Sequence, residues 1–410
     1  SMAAGFNGAR LHQKVFEPRL LYWADRLGYL LWGEYPSWGV NLSNAQALTQ
    51  VVAEWKEVLR RDRNHPSIIG WCPLNETGSD VGAAMAQQLL SVTQLIDPTR
   101  PFLDTSGYVH LYPETDVYDS HNYDQNPESF RALFTTFSLT GREPWNNNPT
   151  DPRSAYQGQP YFVSEYGGTL LELGPRQDQA WGYGTAAASV EEFLARYKAL
   201  TDTLLDNPNM FGFCYTQLTD VEQEQNGVYH YDRSQKYDPA LLRAINARPA
   251  AYETQPPRVI QGELRTLLPT SQQTRQLWRY SFDQPPEGWE QPEFDDTGWA
   301  EGPGGFGTEG TPGAVLGTVW NSPDIWIRRT FEVTDTNFRI ALLDIHHDED
   351  AEVYVNGALI ASPRNYTVGY VTIEVTEALR NALRPGRNVI AIHCHQTVGG
   401  QFIDAGLRVR

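Results

Sequence analysis

The chain has 410 residues, 40% of them hydrophobic, with 12 Trp, 21 Tyr and 16 Phe, so it can bury a sizeable core and is long enough for two domains. Its formal net charge of -18 repels nucleic acid and anionic membrane surfaces, which excludes both as expected partners. Cys72, Cys214 and Cys394 are too few and too scattered for a disulfide framework or a zinc site, and no apolar run is long enough to span a bilayer.

Along the first 250 residues, short apolar runs alternate with segments of helical periodicity. Residues 6–11 read as a strand, 18–27 as a helix, 29–32 as a strand and 44–61 as a helix. Further strands are expected near Ile68, Phe102, Val117, Tyr161 and Met210, with helices over 85–95, 129–137, 190–205 and 240–245. This many strand-helix units favours a parallel (β/α)8 barrel over an open sheet. Arg10, Glu34, Asn75, Glu76, His121, Tyr123, Glu165 and Gln217 all follow apolar strand cores, the positions that carry chemistry in such a barrel.

The composition changes at residues 253–262, ETQPPRVIQG, which lack helical periodicity. The expected division is a barrel domain over 1–252, a linker over 253–277 and a second domain over 278–410. In the last part, short alternating runs such as 325–333, 352–357 and 388–395 are punctuated by Asp296-Thr297-Gly298, Asn356-Gly357 and Pro385-Gly386, the pattern of a β-sandwich or jelly roll. The run Asp348-Glu349-Asp350 lacks further oxygen ligands at calcium-binding spacing and reads as a solvated turn.

Two glutamates stand out. Glu76 ends residues 63–76, RNHPSIIGWCPLNE, and Glu165 ends residues 161–165, YFVSE; each follows an apolar stretch. Paired carboxylates on rigid strand ends are what cleavage of a glycosidic bond requires: one protonates the departing oxygen while the other attacks or stabilises the sugar carbon. Either dipeptide alone is an ordinary loop signal. Their separation of 89 residues fits three intervening βα units, which puts them after the fourth and seventh strands if one strand is missing before Phe6.

Residues 5–36, 63–76, 160–168 (PYFVSEYGG) and 211–239 (FGFCYTQLTDVEQEQNGVYHYDRSQKYDP) occur in the order found in the catalytic barrel of glycoside hydrolase family 2, which the chain resembles from about 3 to 250. The resemblance implies a retaining exo-β-glycosidase with Glu76 as acid/base and Glu165 as nucleophile. It implies that Asn75 binds the sugar, that Arg10 supports the nucleophile and that Tyr123, in residues 119–124 (DSHNYD), supplies a hydroxyl beside it. His121, Gln217 and Trp181 are further candidates for the substrate pocket, and Glu34 is expected to orient Arg10. Trp145 is expected in the loop after the sixth strand. No cofactor and no metal are called for, and the expected partner is a carbohydrate.

Several departures shape the expectation. The family's β-glucuronidases carry Asn-x-Lys after the eighth strand, where this chain has Glu224-Gln225-Asn226-Gly227, so a neutral sugar, first of all a β-galactoside, is favoured over a uronic acid. Gln13 stands where the family's galactosidases place a His, which argues against a magnesium-dependent enzyme. The first strand is expected to be missing, which leaves two open edges next to each other, so a fragment of a longer protein with a missing N-terminal portion is expected, or a homo-oligomer. Residues 278–410 resemble a galactose-binding-like jelly roll through 295–299 (DDTGW), 326–333, 352–357 and 385–395. A mannosidase, glucuronidase, arabinosidase or galactofuranosidase activity stands as an alternative. So, from another class, does a non-catalytic fragment that only binds carbohydrate. The residues leave the compartment open between cytoplasmic and secreted or periplasmic.

Overall fold

The computed structural model describes every residue except 42, 79, 82, 175–178, 256 and 258–262, and the chain divides into two units, Ser1–Val259 and Ile260–Arg410.

The first unit is built from βα repeats. Strand β1 (Gly8–Arg10) pairs in parallel with β2 (Leu30–Glu34), which pairs in parallel with β3 (Ile68–Cys72). β4 (Asn75–Thr77) continues from β3 and pairs in parallel with β5 (Ser106–Tyr108), and Trp71 bridges Phe102 just before it. β6 (Tyr118–Asn122), β7 (Tyr161–Gly167) and β8 (Met210–Thr216) form the third parallel set. Among the described residues, no ladder joins β8 to β1.

The connecting helices begin and end where local chemistry dictates. α1 (Pro18–Leu27) has Pro at its first turn, where the missing N–H costs nothing, and stops at Gly28 in the left-handed region (φ 68°). α2 (Ala45–Asp62), α4 (Pro127–Thr140), α5 (Val190–Leu205) and α6 (Pro239–Asn246) are capped by Asn44, Asn126, Ser189 and Asp238, whose side chains accept first-turn backbone N–H groups. α3 (Ala83–Ile96) completes the set. α2 and α3 meet the sheet through Trp55 and Trp71, both fully buried and edge-to-face at 5.7 Å, with Trp55 Nε1 donating to Thr93 Oγ1 at 2.9 Å. Truncating such an aromatic to Ala costs about 3–5 kcal/mol.

The second unit consists of two sheets. One has the order β11 (Ala300–Pro303), β10 (Leu277–Ser281), β14 (Asp324–Val333), β19 (Gly386–His395), β16 (Asp350–Val355) and β17 (Ala358–Ala361), antiparallel throughout. The other runs β13 (Thr318–Val319), β12 (Phe306–Gly307), β20 (Phe402–Val409), β15 (Ala341–Asp348) and β18 (Val371–Glu374). β16 alternates buried and half-buried residues, whereas β15 is buried along its whole length.

The expected linker needs correction. A short helix, α7 (Ala251–Thr254), enters it, and β9 (Arg265–Leu268) pairs antiparallel with β20, so residues 265–268 belong to the second unit's sheet. The alternation Thr266, Leu268 is too short to stand out from a Pro-containing approach. Residues 256 and 258–262 of the linker lie outside the described residues. The strand expected over 6–11 is limited to Gly8–Arg10. All three cysteines are free, and no helix among the described residues is long and apolar enough to cross a membrane.

Candidate active site

Glu165 sits inside β7, in which all seven residues are buried, so its backbone is fixed by ladders on both sides. Glu76 lies in β4 with φ 47°, a left-handed backbone that a non-glycine residue rarely adopts and that tends to mark functional positions. A carboxylate oxygen of each, together with a ring nitrogen of His121, all lie within 4.8 Å of one another. The two glutamates are therefore adjacent although β4 and β7 belong to different ladders.

Around Glu165, Arg10 is the central cation. Its Nη1 donates to Glu165 Oε1 at 2.8 Å and to the Ser164 carbonyl at 2.9 Å, while Nε donates to Glu34 Oε1 at 2.7 Å. Nη2 donates to Asn75 Oδ1 at 3.1 Å. Tyr123 donates its hydroxyl to Glu165 Oε2, and the Tyr183 ring stacks on Tyr123 with centroids 3.6 Å apart and planes 4° from parallel. Burial by itself would raise the Glu165 carboxyl, but His121, Arg10, His12 and the Tyr123 hydroxyl outweigh it and hold it down at about 2. The same contacts push the Tyr123 phenol up, with burial first and the facing Glu165 second, so Tyr123 remains a donor.

Glu76 has a different neighbourhood. His121 Nδ1 lies 2.9 Å from Glu76 Oε1, and His121 Nε2 lies 2.9 Å from Ser106 Oγ and 3.5 Å from Glu165 Oε1. Behind Ser106 is Asp119, which is fully enclosed and accepts from Ser164 Oγ, Ser106 Oγ (3.2 Å) and Gly107 N (3.0 and 3.1 Å). Gly107 has φ 70°, and a Cβ there would come within 2.6 Å of the His121 ring, so only glycine lets the ring sit in place. Farther in, His110 is held between Asp104 Oδ1 at 2.9 Å and Asp119 Oδ1 at 3.5 Å. Burial lowers the His110 imidazole, but Asp104 and then Asp119 overcome that and push it up to about 9.

The other residues expected at the site fall as follows. Arg10 is nearly buried and has its donors committed to Glu34, Glu165, Ser164 and Asn75, so it lies on the Glu165 side of the site with little exposure to solvent. His121 is 3% exposed, and its ring nitrogens lie against Glu76 and Ser106. Glu34 orients Arg10 and also accepts from Gln13 N. Gln217 donates to Asn226 Oδ1 at 2.8 Å, and Asn226 donates to Glu224 Oε1 at 3.1 Å. Trp181 is 42% exposed, is tied through its backbone to Gln223 and Gln225, and sets its ring edge-on to Tyr183. Trp145 and Asn147 donate to the His121 carbonyl.

Tyr183, Ser106, Ser164 and Asp119 were not singled out from the sequence. For Asp119 the signal is its place in the strand expected near Val117: a strand core reading Tyr-Asp-Ser-His-Asn has to satisfy its polar groups inside the protein. The Glu76, His121 and Glu165 cluster is the one grouping of metal-ligand type among the described residues, but Arg10 and Tyr123 already occupy both oxygens of Glu165.

A family model described as the glycosyl hydrolases family 2 TIM barrel domain matches residues 17–244. A β-glucuronidase of Chlorocebus aethiops is 31% identical over 190 residues, covering 42% of this chain and 27% of that protein. A β-glucuronidase of Paenibacillus borealis is 25% identical over 267 residues, covering 58% of this chain and 42% of that protein. A crystal structure of a family 2 β-galacturonidase from Eisenbergiella tayi bound to galacturonate aligns at 18% identity and a TM-score of 0.49, over 61% of this chain and 46% of that one. The chain thus spans well under half the length of the curated relatives it matches. Since the family model covers more than half of its residues, the chain belongs to glycoside hydrolase family 2.

Proposed function

We propose that the first unit is a retaining exo-β-glycosidase in which Glu165 attacks the anomeric carbon and Glu76 protonates the leaving oxygen. The observation that carries this reading is the proximity of the two carboxylates: one oxygen of each lies within 4.8 Å of the other, close to the separation of about 5–5.5 Å that double displacement uses and short of the roughly 6.5–9.5 Å that would admit a water between them. The Glu165 carboxyl, held down at about 2, is an ionised nucleophile at neutral pH. In the first displacement the Glu165–C1 bond forms as the C1–O bond breaks and the aglycone oxygen takes the proton. In the second, water gives its proton back as its oxygen displaces Glu165.

The substrate we favour is a neutral terminal sugar, with a β-galactoside first. Support comes from Glu224, whose carboxyl feels Glu165 and Glu76 and is raised by burial and then by these charges. A uronic acid would add a further negative charge beside it. The second reading, a β-glucuronidase, is favoured by the names of the relatives. In the same reading β1 to β8 supply seven of the eight strands of the barrel, and the two sheets of the second unit form a galactose-binding-like jelly roll that packs as a structural module or binds carbohydrate.

The test is hydrolysis of p-nitrophenyl β-galactoside, β-glucoside, β-mannoside, β-glucuronide and α-L-arabinoside by the chain and by Glu165→Gln. Release from a neutral glycoside that disappears in the variant is expected. Preference for the glucuronide selects the second reading, and no release from any substrate refutes a catalytic role for this chain.

A further inference from the structure

Resting on the glycosidase reading above, we propose that His121 is a positioning residue that shares one proton with Glu76, with the ring's orientation and tautomer set by the buried Asp119, Ser164 and Ser106.

The argument is a proton inventory. Ser164 has one hydroxyl hydrogen and gives it to Asp119 Oδ2. Its oxygen can then only accept from Ser106, 3.0 Å away. The single hydrogen of Ser106 is drawn to Ser164 Oγ or directly to Asp119 Oδ2 at 3.2 Å, and both choices end at the same carboxylate. With Asp119 ionised and the Ser106 hydrogen turned toward it, Ser106 Oγ offers lone pairs to His121 Nε2 at 2.9 Å, which assigns the hydrogen to Nε2. The nucleophile adds to this, since Glu165 Oε1 lies 3.5 Å from the same nitrogen and also favours an N–H there.

With Nε2–H fixed, the other contact has one proton to place. His121 Nδ1 and Glu76 Oε1 are 2.9 Å apart, and the two stable arrangements are a protonated Glu76 facing a bare Nδ1 or a Glu76 carboxylate facing an imidazolium. The pair therefore holds one transferable proton between Nδ1 and Oε1. When the glycosidic oxygen leaves, that proton goes to it from Glu76 Oε1 or its second oxygen, and Nδ1 holds the emptied carboxylate in place. When water attacks the glycosyl–Glu165 bond, its proton returns to the pair while its oxygen bonds to the anomeric carbon. The charged and titratable groups that face His121 are Glu76 from β4, Glu165 from β7, Asp119 on its own strand, and the Tyr108 and Tyr123 rings at 6.4 Å. Arg10 and His12 act on it through Glu165.

Two readouts test this. In ¹⁵N-histidine-labelled protein, with the His121 signals assigned by their loss in His121→Asn, Nε2 should stay protonated across the neutral range, and Ser106→Ala should release that preference. A bare Nε2 in the unmodified chain overturns the proposal. In kinetics, the alkaline limb of kcat/KM reports loss of the shared proton, so His121→Asn, which removes the partner that holds it, should move that limb to lower pH. The loss of rate should be at least about tenfold larger for a phenyl glycoside, which needs the proton, than for a 2,4-dinitrophenyl glycoside, which does not. An unmoved limb with equal loss on both substrates means a merely structural His121. A chain that hydrolyses nothing fails the glycosidase reading alone, because the labelled protein reports the tautomer without turnover.

Discussion

Arg10 holds Glu34 and Glu165 with one guanidinium, at 2.7 Å through Nε and 2.8 Å through Nη1, and all three side chains are at most 10% exposed. A cation placed between two buried carboxylates compensates both, and taking it away leaves two charges in a site with little water. Arg10→Met is therefore expected to lower stability by about 3–5 kcal/mol, and Arg10→Lys by less, because an ammonium keeps the charge but cannot reproduce the planar fork. Urea unfolding checks this; a Met variant within about 1 kcal/mol of the parent would sink the account.

Stability should fall on both sides of neutrality, for opposite reasons. Glu165 titrates near 4.5 when unfolded and at about 2 in the fold, so its contribution of about 3 kcal/mol is present above 4.5 and is lost as pH falls toward 2. His110 titrates near 6.5 when unfolded and at about 9 in the fold, so its contribution, also about 3 kcal/mol, is complete below 6.5 and is lost as pH rises through 9. Unfolding free energies between pH 2 and 10 for the chain and for His110→Asn read this directly. The variant should be less stable at pH 6 and should show a flatter alkaline decline; parallel curves would contradict the assignment.

Glu224 provides a handle on sugar preference. It is half-buried, bonded to Asn226, and electrically coupled to Glu165 and Glu76. Glu224→Lys replaces a repulsion with an attraction for a uronic acid carboxylate. The ratio of kcat/KM for β-glucuronide over β-galactoside should rise by at least about tenfold, which corresponds to ~1.4 kcal/mol. A ratio that does not move would show that Glu224 does not face the sugar.

Read alone, the residues settled the local elements and singled out Glu76 and Glu165 as the candidate pair. Helix limits followed from caps and breakers within a few residues, such as Pro18 with Gly28 or Ser189 before α5, and Glu76 and Glu165 were marked by the apolar strands that precede them. Glu34 could be paired with Arg10 because both end adjacent strands. The tertiary structure alone decided what those groups touch. His121 meets Glu76 across 45 residues and Arg10 meets Glu165 across 155, contacts set by strand stagger and, for His121, by Gly107, where a Cβ would come within 2.6 Å of the imidazole. It also decided that residues 265–268 join the second unit's sheet, since pairing with β20 depends on a partner about 140 residues away. Capping, periodicity and turn preference act over one or two turns of chain and are written in neighbouring residues, whereas hydrogen-bond partners inside a sheet-lined cavity are chosen by packing between segments that no local pattern links.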